Sequence, residues 1–159
     1  MNKSLDALLI GPAAAARSAL AELAAACVDC AVTSTRRTAD EQYALWCQGR
    51  KPIGVVNAAR AIAMLAPIGA AENGYTVTNA DGRKQSEGGT GRSAHQVGTA
   101  LDVVPAENGR PVWPEGSDPR WTKIAAAFKR HGFEWGGDWT MAHDGIAPDY
   151  PHYQFSESV

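Results

Sequence analysis

Ser93-Ala-His95-Gln-Val-Gly98-Thr-Ala-Leu-Asp102-Val-Val104 is the stretch on which the fold turns. Thr99–Val104 is β-prone and ends at a proline, so it reads as a strand closed by Pro105. His95 and Asp102 stand seven residues apart with Gly98 between them. A turn at Gly98 leading into the strand brings imidazole and carboxylate to one point. Downstream, Asn108-Gly109 is a strong hairpin signal, with Pro111–Trp113 pairing back on the strand. Upstream, Ala31–Ser34 is a second short β-prone run. Phe133–Trp135 and His152–Phe155 complete a set of short strands, and Gly74–Asn79 alternates like another.

Helical signals lie between these strands. Leu5, Leu8, Leu9, Ala16, Leu20 and Leu23 recur at helical spacing, with Pro12 as a break or a start, giving a helical lead-in over residues 1–28. Thr38 followed by Glu41 is a capping-box pattern for a helix to about Gln48. Val56–Leu65 reads as a further helix, and Asp81–Arg92 as an exposed loop. Ser117 or Asp118 caps a helix with Pro119 in its first turn, running to about His131 and stopped by Gly132. Helices and strands mix without a βαβ rhythm. The expectation is an α+β fold, a small mostly antiparallel sheet with flanking helices.

Composition excludes several function classes. The chain has 159 residues, 15 Lys+Arg against 17 Asp+Glu, and a net charge of −2. That balance lacks the basic footprint of a nucleic-acid binder. The apolar runs fall short of the ~18–20 residues that span a bilayer, so no membrane insertion is expected. Alanine supplies 29 of the hydrophobic residues, which predicts alanine-lined helices around a modest core. A single domain over 1–159 fits this length, and a monomer is expected. Cys27-Val-Asp-Cys30 has redox spacing but lacks a preceding strand, so buried or incidental thiols are favoured.

The chemistry is concentrated in a few residues. Besides His95 and Asp102, the chain ends with Asp149-Tyr-Pro-His152-Tyr-Gln154. Two imidazoles and one carboxylate form a recurring ligand set for catalytic zinc, whose bound water has a pKa near ~7. A further carboxylate is needed to take the proton and return it to a leaving amine, and Asp149, three residues before His152, is placed to reach that water. Any one of these residues alone reads as a turn or surface group; the combination carries the argument. His131 is read as a helix-terminal residue complementing the dipole, and His143 as a surface residue.

The combination resembles a known family. SxHxxGxAxD, then Trp135-Gly-Gly-Asp-Trp139, then Asp149-x-Pro-His152-Tyr-Gln154 is similar to the zinc-dependent peptidoglycan peptidases. These comprise D-alanyl-D-alanine carboxypeptidases and, more closely, the L-alanyl-D-glutamate endopeptidases of phage endolysins. Thr33-Ser-Thr-Arg-Arg37 through Gln42, Leu45 and Gln48-Gly-Arg50 resembles the same family's entry segment, and the likeness runs from about Ala31 to Phe155. It implies a Hedgehog/D,D-peptidase-like fold, one catalytic Zn²⁺ held by His95, Asp102 and His152, Asp149 as acid/base, and Arg37 on the substrate carbonyl. Ser93, Gln42 and Gln154 take supporting roles, and Trp139 lines the cleft. Thr35 and Arg36 stand where the family has glycine and an aromatic, so Arg36 rivals Arg37.

The implied substrate is the stem peptide of bacterial peptidoglycan. An L-alanyl-D-glutamate endopeptidase acting as an endolysin is expected, made in the cytoplasm without a clear signal peptide and reaching the wall or periplasm after release. The alternatives are a D-alanyl-D-alanine carboxypeptidase on the same zinc site and a non-catalytic, zinc-stabilised wall-binding domain. Residues 53–91 look like an elaboration beside the substrate groove. Asp138 and Asp144 mark a minor calcium possibility.

Overall fold

The computed structural model describes residues 1–83, 89, 91–143 and 145–156. Two compact units build the chain: Met1 with Arg37–Val97, and Asn2–Arg36 with Gly98–Val159.

The second unit contains the sheet. Strands β1 (Cys30–Ser34), β2 (Ala100–Glu107), β3 (Arg110–Pro111), β4 (Phe133–Trp135) and β5 (His152–Phe155) are joined antiparallel in the order β1-β2-β5-β4, with β3 pairing β2 as a hairpin. Asn108 and Gly109 take φ of 53° and 74°, the two positive values of a tight hairpin turn. Helices α1 (Ile10–Ala25) and α5 (Pro119–Arg130) join Leu101, Val103, Phe133 and Tyr153 in one hydrophobic core. The alanine share explains α1: Ala13, Ala16 and Ala19 are buried, and their small side chains admit close approach of neighbouring elements. Pro12 sits in the helix's first turn, where its missing N–H breaks no intrahelical bond. Asp118 caps α5 by accepting from the Arg120 N–H.

The first unit is built on α2 (Ala39–Cys47) and α3 (Ile53–Ile62). Thr38 and Glu41 form the expected capping box. Ala44, Cys47, Val56, Ala59 and Ala63 make a small core of their own, against which Trp46, Leu65 and Ile68 pack. A one-turn helix, α4 (Ala94–Val97), closes the unit.

Three expectations need correction. Gly74–Asn79 is not a strand: a 3-10 turn covers Glu72–Gly74, and the following segment is held by side chains. Gln42 Nε2 donates to Thr78 Oγ1 and Arg50 Nη1 to the Thr78 carbonyl, replacing the hydrogen bonds a ladder would supply. Pro105 does not close β2. It pairs with Cys30 and its carbonyl accepts from the Val112 N–H, so the strand continues without the missing donor. Helix α3 starts three residues earlier than Val56, because Pro52 fixes its entry. Helix α4 lies just before the expected turn at Gly98, in residues to which the sequence assigned no element. Half of the Asp81–Arg92 loop lies outside the described residues, as does Asp144.

The thiols are all free. Burial and the neighbouring Asp29 push Cys30 up to about 11, the reverse of a redox-active thiol. At pH 8 exposed Cys27 should therefore react rapidly with a disulfide reagent and Cys30 slowly, and a stopped-flow thiol titration of the two single-cysteine variants checks this. Among the described residues no helix is long and apolar enough to cross a membrane.

Candidate metal and catalytic site

Register places the first pair. Asp102 on β2 and His152 on β5 are directly opposed across the antiparallel ladder, so their side chains share one face. Neighbouring Leu101 and Val103 point to the other face, into the core. His152 Nδ1 lies 3.6 Å from Asp102 Oδ1. That is longer than an N–H···O bond of about 2.7–3.2 Å. It is close to the ~3.4 Å separating two ligands on one tetrahedral ion at metal–ligand distances of about 2.0–2.2 Å.

His95 is supplied by α4. Ser93 Oγ accepts from the His95 N–H at 3.3 Å and so caps that turn, and Gly98 follows with φ of 88° before β2 begins. The His95 ring is buried. His95, Asp102 and His152 each offer a ligand atom, and these atoms all lie within 4.8 Å of one another. The donor set has a net charge of −1 when both imidazoles are neutral, which suits a divalent cation.

The remaining ring nitrogen of His152 is also engaged. His152 Nε2 lies 3.3 Å from Gln154 Oε1, and Gln154 Nε2 donates to Glu134 Oε2 at 3.1 Å. With the Nε2 hydrogen on Gln154, the Nδ1 lone pair faces Asp102. The Trp139 ring packs against His152 with centroids 5.1 Å apart. Trp135, by contrast, is buried, donates from Nε1 to the Tyr150 carbonyl, and belongs to the core.

Asp149 is placed by the Trp-Gly-Gly turn. Its N–H donates to the Gly136 carbonyl at 2.9 Å, and its own carbonyl accepts from the His152 N–H at 3.1 Å. A Cβ on Gly136 would stand 2.5 Å from the Asp149 carbonyl oxygen and 3.1 Å from the His152 Cβ. Only glycine fits there. Gly136→Ala should lower stability by about 1–3 kcal/mol, measured by denaturant unfolding, because backbone rather than a flexible side chain must move.

Arg37 is held in the other unit. Its backbone N–H donates to the His95 carbonyl at 3.2 Å, and its Nη1 donates to Gln42 Oε1 at 3.5 Å. Gln42 is fully buried, and its amide donates to Thr78 Oγ1 and the Ala80 carbonyl. Arg36 is exposed. His131 caps the end of α5 and meets Glu22, as a helix-terminal histidine should. His143 is exposed. Asp138 is paired with Lys129.

Sequence reading missed Gly136 and Glu134 as parts of this arrangement. The Trp-Gly-Gly-Asp-Trp run was the available signal for Gly136. Nothing local marks Glu134, which reaches Gln154 only through the β4–β5 register.

With this geometry in hand, similarity to known proteins is informative. Residues 87–155 match a family model described as D-alanyl-D-alanine carboxypeptidase. That stretch of 69 residues is less than half of the chain and holds His95, Asp102, Asp149 and His152. The L-alanyl-D-glutamate peptidase of Listeria phage A118 is 43% identical over 67 residues, 42% of this chain and 22% of the relative. The likeness therefore spans only about a fifth of that curated relative. Among solved structures, Serratia marcescens L-Ala D-Glu endopeptidase ChiX matches with a TM-score of 0.54 at 21% identity, over 96% of this chain and 83% of its own. The LD-carboxypeptidase LdcB gives 0.58 at 16% identity, over 93% of this chain and 58% of its own. The vancomycin-resistance D,D-pentapeptidase VanY, solved with Zn(II), gives 0.55 at 16% identity, over 93% and 72%. At these identities the structures share the fold with this chain.

Proposed function

We propose that this protein is a zinc metallopeptidase that hydrolyses the L-alanyl–D-glutamate bond of the peptidoglycan stem peptide, in the manner of an endolysin. The observation that carries the reading is the gathering of His95, Asp102 and His152 ligand atoms within 4.8 Å. Their chemistry, two imidazoles and one carboxylate, fits a catalytic zinc with a position left open. When bound, zinc would polarise the scissile carbonyl and bring the pKa of water near ~7.

The protein's own residues do the rest. The Asp149 carboxylate takes the proton of the attacking water and returns it to the leaving amide nitrogen. The Arg37 guanidinium donates to the carbonyl oxygen as negative charge grows there, and Gln42 keeps that guanidinium in place. Gln154 fixes the His152 tautomer so that Nδ1 remains a ligand. Its replacement by alanine should weaken zinc binding by about 10–100-fold, measured by competition with a chromogenic chelator.

The phage relative and ChiX support the endopeptidase. The family model's description and VanY support a second reading, D-alanyl-D-alanine carboxypeptidase on the same site. A synthetic stem pentapeptide offers both bonds to one enzyme. Release of L-alanine by the zinc-loaded protein supports the endopeptidase, and release of terminal D-alanine supports the second reading. Zinc retention with neither product would overturn both in favour of a binding domain.

A further inference from the structure

A groove of about 460 Å³ on the Arg37–Val97 unit is lined by Asp40, Tyr43, Trp46, Lys51, Gly82 and Arg83, among others. That volume falls in the range of small-ligand sites. Its wall is aromatic. Tyr43 and Trp46, one turn apart on α2, stack with ring centroids 5.9 Å apart and planes 21° from parallel. Trp46 is anchored, since it packs on the small α2–α3 core and carries Arg50 and Lys51 at 5.4 and 5.7 Å from its ring centroid. Tyr43 remains 40% exposed.

The polar lining is charge-balanced. Asp40 and Asp81 stand against Lys51 and Arg83. The buried Asp81 carboxylate accepts from Arg83 Nε and Nη2 at 3.0 and 2.8 Å, so this pair forms a neutral edge. An aromatic wall beside balanced donors and acceptors suits an uncharged ring with an apolar face and a rim of hydroxyl and amide groups. A sugar meets that description better than an anionic peptide, which would leave a carboxylate uncompensated.

Position narrows the choice. Asp40 follows Arg37 by three residues, and Arg37 is the residue assigned above to the scissile carbonyl. In a bond cut after L-alanine, that residue and the lactyl group of the sugar, together about 7 Å of chain, separate the carbonyl from the sugar ring. We propose that the Tyr43–Trp46 groove binds the N-acetylated amino sugar that carries the stem peptide. The inference rests on the L-alanyl–D-glutamate reading.

Two measurements on the zinc-loaded protein test it. The first is a ¹H–¹⁵N NMR titration with GlcNAc–MurNAc–L-alaninamide, which is uncharged and has no scissile bond. Shifts confined to Tyr43, Trp46, Lys51 and Gly82 are expected. The second compares cleavage of a disaccharide–tetrapeptide with that of the free tetrapeptide. Tyr43→Ala should raise KM for the sugar-bearing substrate about tenfold and leave the free peptide within about twofold, while Tyr43→Phe should behave as wild type. Equal effects on both substrates, or shifts elsewhere, would overturn the proposal while leaving the peptidase reading intact. If neither peptide is cleaved, the peptidase reading fails, and the titration alone decides the groove.

Discussion

Asp149→Asn is expected to bind zinc as tightly as the wild type and to lose about 10²–10⁴-fold in kcat. Asparagine keeps the size and the backbone of this position. The Asp149 N–H bond to Gly136 and the His152 N–H bond to the Asp149 carbonyl are both main-chain interactions and survive the change. The amide has no basic oxygen to accept a proton near neutral pH, so the defect falls on proton transfer alone. Zinc content and turnover on a stem peptide, measured on one preparation, separate the two effects. A variant with full zinc and full rate would remove Asp149 from the mechanism.

Arg37→Ala should lower kcat by about 10²–10³-fold, the usual cost of one oxyanion donor, about 3–4 kcal/mol in the barrier. The loss should appear in kcat more than in KM, since the guanidinium acts where charge develops. Lysine should rescue poorly, because its point charge cannot reproduce the planar fork that reaches Gln42 Oε1. Arg36→Ala is the control, and exposed Arg36 should tolerate it with rates within about twofold. If Arg36→Ala is the damaging change instead, the two arginines have exchanged roles. Steady-state kinetics on the four proteins decides this.

The convergence of His95 and Asp102 was legible in the sequence for a physical reason. His95 and Asp102 flank a glycine whose positive φ lets a helical turn run straight into a strand, and spacing of that kind is visible along the chain. The hairpin at Asn108-Gly109, the capping box at Thr38 and the Asp118-Pro119 helix start are likewise local chemistry. What sequence did not disclose depends on distant partners. Gly74–Asn79 alternates as a strand does, yet Gln42 and Arg50 hold it irregular from 28 to 36 residues away. The second core, with Val56 and Ala59 against Ala44 and Cys47, needs the α2–α3 packing to be seen. The pairing of Asp102 with His152 rests on the β2–β5 register, between residues 50 positions apart in the chain.

The central claim is that the His95–Asp102–His152 group, with Asp149, makes this protein a zinc-dependent stem-peptide hydrolase. Purified peptidoglycan should be incubated with the zinc-loaded protein, with the chelated protein and with chelated protein given zinc again, and new termini identified by mass spectrometry. The account predicts fragments with a new N-terminal D-glutamate, lost on chelation and restored by zinc. Intact peptidoglycan in all three samples, or hydrolysis that chelation leaves unchanged, would contradict it.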